Sequence, residues 1–170
     1  GMGRTGRFFA KEHFGVQPDI LTSAKALGSG VPISAILVSE KVSEVIAFGD
    51  HGTTFGGNPL ATAAALAAVE IIEEEDLISQ AREKGEWIKR TILSREPEKY
   101  GIGQVRGLGL MIGIDFHFEA KSLVSKMLEK RVLANATAET VLRLVPALNI
   151  GYDDLETVLD VMYQSLEELK

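Results

Sequence analysis

Three positions in this 170-residue chain have residue types and neighbours suited to chemistry. Lys25 stands between Ala24 and Ala26 in a loop of small residues directly after the apolar run Ile20-Leu21-Thr22. That setting predicts a poorly solvated ammonium, and desolvation favours the neutral amine, the form that attacks an aldehyde to give a Schiff base. Taken alone, a lysine in such a loop is more often one that snorkels to solvent. A second stretch, Gly52-Thr53-Thr54-Phe55-Gly56-Gly57-Asn58-Pro59, offers hydroxyls and unhindered backbone amides, which suit the oxygens of a phosphate. The same residues also make an ordinary turn into a helix. Arg143 lies in Val141-Leu142-Arg143-Leu144-Val145-Pro146, where a period of two sets it on one strand face with Val141 and Val145. A guanidinium on an apolar face calls for an anion. That anion is either a substrate carboxylate or a structural Asp or Glu, the commoner case for such a pattern.

Other polar residues read as structural. Arg106 is expected to make a structural ion pair. His13, His51 and His117 are too far apart for ligand spacing, so no metal is expected. Gly101-x-Gly103 and Gly107-x-Gly109 precede a strand rather than a helix, which argues against a dinucleotide fingerprint.

The elements that must position these residues follow from hydrophobic pattern and punctuation. Ile20-Leu21-Thr22 and Ile33 to Val38 read as strands flanking the Lys25 loop. Ser39 is placed to cap a short helix ending near Phe48-Gly49. Asn58 as cap and Pro59 at the first helical position open an alanine-rich helix from Leu60 to about Glu75. The acidic run Glu73-Glu74-Glu75-Asp76 is assigned to the start of the next helix, where negative charge complements the dipole. That helix runs to about Arg95, and Pro97 marks a break. Gly103 to Phe118 reads as a strand that alternates in its later part, Lys121 to Lys130 as a helix, and Val132-Leu133-Ala134 and Val141 to Val145 as strands. Asp153 with Glu156 reads as a capping box for the last helix. The division expected is 1–75, a connecting helix over 76–95, and a small α+β domain over 96–170.

Composition narrows the class of function. The chain is 45% hydrophobic, with a formal net charge of -6 and a pI near 5.1, so no basic field exists to attract nucleic acid or an anionic membrane. Cysteine is absent, which rules out disulfides and thiolate metal sites. No apolar run reaches the roughly 20 residues that span a bilayer, and the expectation is a soluble, cytoplasmic protein.

The longest pattern is Pro18-Asp19-Ile20-Leu21-Thr22-Ser23-Ala24-Lys25-Ala26-Leu27-Gly28-Ser29-Gly30-Val31-Pro32-Ile33. It closely resembles the cofactor-lysine segment of the class III aminotransferases, which depend on pyridoxal 5'-phosphate. Gly3-Arg4-Thr5-Gly6-Arg7-Phe8-Phe9-Ala10 resembles the segment preceding that lysine in the same family. The resemblance implies that Lys25 both anchors the cofactor and moves the substrate proton. It implies further that Thr54 binds the phosphate and Thr53 lies near cofactor or substrate, both serving the other subunit of a homodimer. Arg143 is implied to hold the α-carboxylate of glutamate or 2-oxoglutarate.

The fold implied is α/β: the C-terminal part of a fold-type I pyridoxal-phosphate transferase, made of a remnant of the large three-layer α/β/α domain and a small α+β C-terminal domain. Val132 to Thr137 and Leu142 to Ile150 look most similar to the branch that moves the ω-amino group of N-acetylornithine or succinyl-diaminopimelate to 2-oxoglutarate, in arginine or lysine biosynthesis. Ornithine and 4-aminobutyrate are the alternative donors. Ala147 stands where that branch usually has a second proline. Enzymes of the family extend further at the N-terminal side. The resemblance therefore implies that the aspartate pairing with the pyridine nitrogen, the aromatic residue stacked on the ring and the subunit's own phosphate loop are absent. A weak or inactive catalyst is expected from this chain alone, with apolar surface over residues 1 to about 70 covered by self-association or a complementary N-terminal part. The reading from a different class is a non-catalytic fragment.

Overall fold

The computed structural model describes all 170 residues, which form two compact units. The first comprises Gly1–Gly3 and Arg7–Leu77, the second Arg4–Gly6 and Ile78–Lys170. No helix is long and apolar enough to cross a membrane.

In the first unit, β1 (Ile20–Ser23) and β2 (Ala35–Val38) pair antiparallel, with Ile20 opposite Val38 and Ser23 opposite Ala35. The second strand begins two residues later than the apolar run suggests, because its partner ends at Ser23, opposite Ala35. A short helix α1 (Glu40–Ser43) follows, well short of Phe48. Ser39 precedes it but makes no side-chain cap; its hydroxyl donates to Asp19 Oδ1 at 2.9 Å, tying the end of β2 to the start of β1. Helix α2 (Pro59–Glu74) opens on Asn58 and Pro59 as the sequence indicates, with the Ala61 amide donating to Asn58 Oδ1 at 3.0 Å. Alanines at six of its sixteen positions (Ala61, Ala63, Ala64, Ala65, Ala67, Ala68) let its backbone approach closely, and it packs against the turn that carries Lys25.

The acidic run is a correction. Glu73 and Glu74 close the last turn of α2, Glu75 caps it, and Asp76 turns the chain with φ 48° before α3 (Leu77–Leu93) begins. Helix propensity of the preceding alanine-rich stretch carries the helix on into the glutamates, against a dipole penalty of only about 0.3–1 kcal/mol.

The second unit is a four-stranded antiparallel sheet in the order β3-β4-β6-β5, formed by β3 (Ile102–Leu108), β4 (Met111–Phe116), β6 (Val141–Leu144) and β5 (Asn135–Thr137). Its core joins Ile112, Ile114, Leu142 and Leu144 of the sheet to Ile88 and Ile92 of α3, Leu123 and Met127 of α4 (Lys121–Glu129), and Leu155, Leu159, Met162 and Leu166 of α5 (Tyr152–Glu168). The three-and-four spacing in α5 gives one apolar stripe, as a helix on a sheet requires.

Three expectations fail here. The stretch read as one strand is a hairpin, because Gly109 (φ 52°) turns the chain between two strands whose periods of two run together in sequence. Val132-Leu133-Ala134 is not a strand; pairing starts at Asn135, opposite Arg143, because a strand on the sheet edge is set by its partner's register rather than by its own apolar run. Helix α5 has Gly151 as its cap with no side-chain bond, and Asp153 already lies in its first turn, so the capping box is absent.

Segment Arg4–Gly6 lies beside that hairpin. The Leu110 amide donates to Arg4 O at 2.9 Å, while Arg4 Nη1 donates to Leu110 O at 3.4 Å and to Pro146 O. Burial lowers the Arg4 pKa from its ordinary value, yet a guanidinium stays charged at any physiological pH. Its satisfied donors make it a strut between this segment and the chain that leaves β6.

Candidate functional site

Lys25 opens a 3-10 turn, Lys25–Gly28, immediately after β1. The turn is closed by Leu27 N to Ala24 O at 3.2 Å, Ser29 N to Ala26 O at 3.1 Å and Val31 N to Gly28 O at 2.9 Å. Lys25 itself has φ 54°, a left-handed conformation that costs a side-chain-bearing residue roughly 1–2 kcal/mol. Gly28 gives Ile33 its room, since a Cβ there would stand 2.7 Å from Ile33 Cγ2 and force that side chain to shift. The expectation of a poorly solvated ammonium is corrected: Ala24, Lys25 and Ala26 are all exposed. The turn packs against α2 with Gly28 buried and Lys25 left at the surface.

The Gly-Thr-Thr loop folds on its own polar groups. The Gly56 amide donates to Thr53 Oγ1 at 3.1 Å, Asn58 Nδ2 donates to Phe55 O at 2.8 Å, and Gly57 has φ 65°. A Cβ at Gly56 would collide with Thr53 Cγ2, so the residue keeps a cradle open beside the threonine. Thr53, His51, Gly56 and Asn58 share an open groove of about 760 Å³ with Ile33 and Ser34, from the stretch that follows the lysine turn. Thr54 is exposed and lies outside that lining. Nothing in the sequence marks His51 or Ser34 as groove residues, because only the fold brings residues 32–34 to residues 51–58.

Asn58 thus serves both loop and helix. Asn58→Ala is expected to lower stability by about 1 kcal/mol, the usual worth of an N-cap, and Asn58→Asp to restore most of it by keeping the acceptor. Thermal unfolding of the two variants checks this; equal losses in both would remove the cap from the explanation.

In the second unit, the outward sheet face carries a row across all four strands. Arg106 stands opposite Gly113, Gly113 opposite Arg143, and Arg143 opposite Asn135. Arg106 Nη1 pairs with Asp115 Oδ2 at 3.0 Å, the structural ion pair expected from sequence. Thr140 donates to the other oxygen at 2.7 Å, and these two hydrogen bonds, the Thr140 one foremost, hold the Asp115 carboxyl below its ordinary range. Arg143 is exposed, and its Nε donates to Asn135 Oδ1 at 3.1 Å. It has no carboxylate within ion-pair distance. Arg143 and Asn135 line a cavity of about 220 Å³ whose further walls include Ile88, Leu133, Leu155 and Val158. Val141 shares the Arg143 face and is buried, whereas Val145 is 43% exposed and lies past the end of β6.

Lys25 and Thr53 therefore belong to one unit, joined through α2, and Arg143 belongs to the other. The first unit supplies two separate donor sets: an exposed primary amine at Lys25, which suits an aldehyde, and a groove with hydroxyls and a glycine cradle whose lining does not include Lys25, which suits a phosphate. The second supplies an arginine whose charge no acidic residue offsets.

Comparison with known proteins gives a consistent family. The sequence pattern described as aminotransferase class-III matches residues 1–166. An acetylornithine aminotransferase of Methanocaldococcus jannaschii is 51% identical across all of this chain and 43% of its own length. A [LysW]-aminoadipate semialdehyde/glutamate semialdehyde transaminase of Sulfolobus acidocaldarius is 37% identical over all of this chain and 44% of its own. The crystal structure of an acetylornithine aminotransferase from Elizabethkingia anophelis superposes with a TM-score of 0.89 at 36% identity, covering 99% of this chain and 45% of that one. An S-selective transaminase from Bacillus megaterium gives a TM-score of 0.91 at 31% identity, over 99% and 42%. The chain spans less than half the length of the relatives it matches.

Proposed function

Because the chain belongs to the class III aminotransferases, we propose that it contributes to transamination of the ω-amino group of N-acetylornithine, or of succinyl-diaminopimelate, with 2-oxoglutarate as acceptor. The observation that carries this reading is the conjunction of an exposed lysine held at φ 54° with 51% identity to an acetylornithine aminotransferase along the whole chain. Strain kept at a side-chain-bearing residue is commonest where the side chain has a task. The first unit is read as part of the large cofactor-binding domain and the second as the small C-terminal domain.

Pyridoxal 5'-phosphate, when bound, supplies the electron sink for breaking a bond at the carbon that bears the amino group. The residues of this chain do the rest. Lys25 Nζ would hold the cofactor through its aldehyde carbon, and the same amine, when free, would take and return the substrate proton as a general base. Thr54 Oγ1 donates to phosphate oxygens, and Thr53 stands near cofactor or substrate, both on behalf of the partner subunit in a homodimer. Arg143 binds the α-carboxylate through charge-assisted hydrogen bonds. Ornithine and 4-aminobutyrate remain the competing donors.

The test is a coupled assay for glutamate formation with N-acetylornithine, ornithine and 4-aminobutyrate compared at equal concentration, with pyridoxal phosphate supplied. The acylated donor is expected to be preferred by at least about tenfold, since one well-placed group discriminates by 1–3 kcal/mol. Equal or greater use of ornithine would replace the proposed donor, and no turnover of any donor together with no cofactor uptake would favour a non-catalytic chain.

A further inference from the structure

The cross-strand register puts Asn135 directly opposite Arg143, and in antiparallel pairs such side chains stand on one face within reach of each other. Asn135 Oδ1 accepts from Arg143 Nε at 3.1 Å. A guanidinium has five N–H groups in a fixed fork, and it can grip a carboxylate either end-on, through Nη1 and Nη2, or side-on, through Nε and one Nη. With Nε occupied, only the end-on edge remains for a ligand. On the other flank stands Gly113, where a Cβ would meet Val141 Cγ1 at 3.2 Å, so no side chain there competes for the guanidinium. Asn135 is also neutral. An acidic residue at its position would hold the same nitrogen but would cancel the charge that a carboxylate ligand needs.

We propose that Asn135 is a positioning residue for substrate recognition: it fixes the Arg143 guanidinium through Nε, presenting the Nη1/Nη2 edge to the α-carboxylate without lowering the site's positive charge. This rests on the reading of Arg143 as the carboxylate-binding residue.

The experiment uses the chain labelled with 15N-arginine, observed by NMR, with 2-oxoglutarate as the probe. In the wild type, the Arg143 Nε–H, assigned by its loss in Arg143→Lys, should exchange slowly with water and stay unshifted during titration, while its Nη groups shift. Asn135→Ala should speed Nε–H exchange and weaken 2-oxoglutarate binding about five- to tenfold, the scale of one ordinary hydrogen bond. Asn135→Asp should keep Nε–H slow yet weaken binding by more than about tenfold through the added charge. A purely structural role would predict no loss in Asn135→Asp, because the strand pairing and the acceptor are retained. Unchanged affinity in both variants, with Arg143→Ala still abolishing binding, overturns the role of Asn135 alone. Binding that survives Arg143→Ala, or none in the wild type, overturns the carboxylate role of Arg143 and this inference with it.

Discussion

Lys25→Ala is expected to abolish the visible absorption band formed with pyridoxal phosphate and the borohydride-stable adduct on the Ile20–Val31 stretch, and to reduce transamination at least about 10³-fold. A general base alone contributes about 10²–10⁴, and loss of the covalent anchor adds to that. Stability should move the other way or not at all. Lys25 sits at φ 54°, and the side chain is exposed, so little packing is lost on truncation. Lys25→Gly removes left-handed strain of roughly 1–2 kcal/mol against an entropic penalty for glycine of about 0.5–1 kcal/mol. The glycine variant should therefore be at least as stable as the wild type while being unable to hold the cofactor. Mass spectrometry of the reduced peptide and thermal unfolding of both variants test the two halves separately. Stoichiometric labelling elsewhere in Lys25→Ala would remove the lysine from the mechanism; a large loss of stability would make its conformation structural rather than functional.

Gly85→Ala is expected to destabilise the second unit, although it adds only a methyl group to a helix. In an exposed helix interior this substitution normally stabilises, by about 0.8–1 kcal/mol. Here the added Cβ would overlap the carbonyl of Gly109, standing 2.6 Å from its carbon and 3.0 Å from its Cα. Gly109 has no room to retreat, because its own Cα faces Arg4 O and Thr5 C, both 2.5 Å from where a Cβ would be. Backbone cannot rotate out of the way as a side chain can, so the overpacking cost of about 1–3 kcal/mol or more outweighs the propensity gain. A net loss of about 2 kcal/mol corresponds to a fall in melting temperature of roughly 10 °C for a domain of this size. Gly52→Ala is the control, since nothing stands within 4 Å of a Cβ there. If Gly85→Ala melted with or above the wild type, the close approach of α3 to the hairpin would be wrong.

Local signals in the sequence were legible where local physics decides. Asn58-Pro59 marks the start of α2 because capping and the fixed proline φ act within one turn. The structural ion pair expected of Arg106 is present with Asp115, whereas Arg143, read as lying on an apolar face, is exposed. Errors cluster where a neighbour in space overrides the run of residues. The acidic stretch closes α2 rather than opening α3, Gly109 breaks an apparently continuous strand into a hairpin, and β5 starts three residues after the apolar run that suggests it.

The chemistry-bearing residue types, their family and the amphipathic stripes of α3, α4 and α5 are properties of the sequence by itself, because each depends on side-chain identity at fixed spacing. Three features were decided only by tertiary structure: the exposure of Lys25, the meeting of Ile33 and Ser34 with the Thr53 loop, and the register that sets Asn135 and Gly113 on either side of Arg143. Those depend on pairing between segments far apart in the chain, and the energy that selects one register over its neighbours comes from burying Leu142 and Leu144 against the helices, since a slip of one residue would turn them outward.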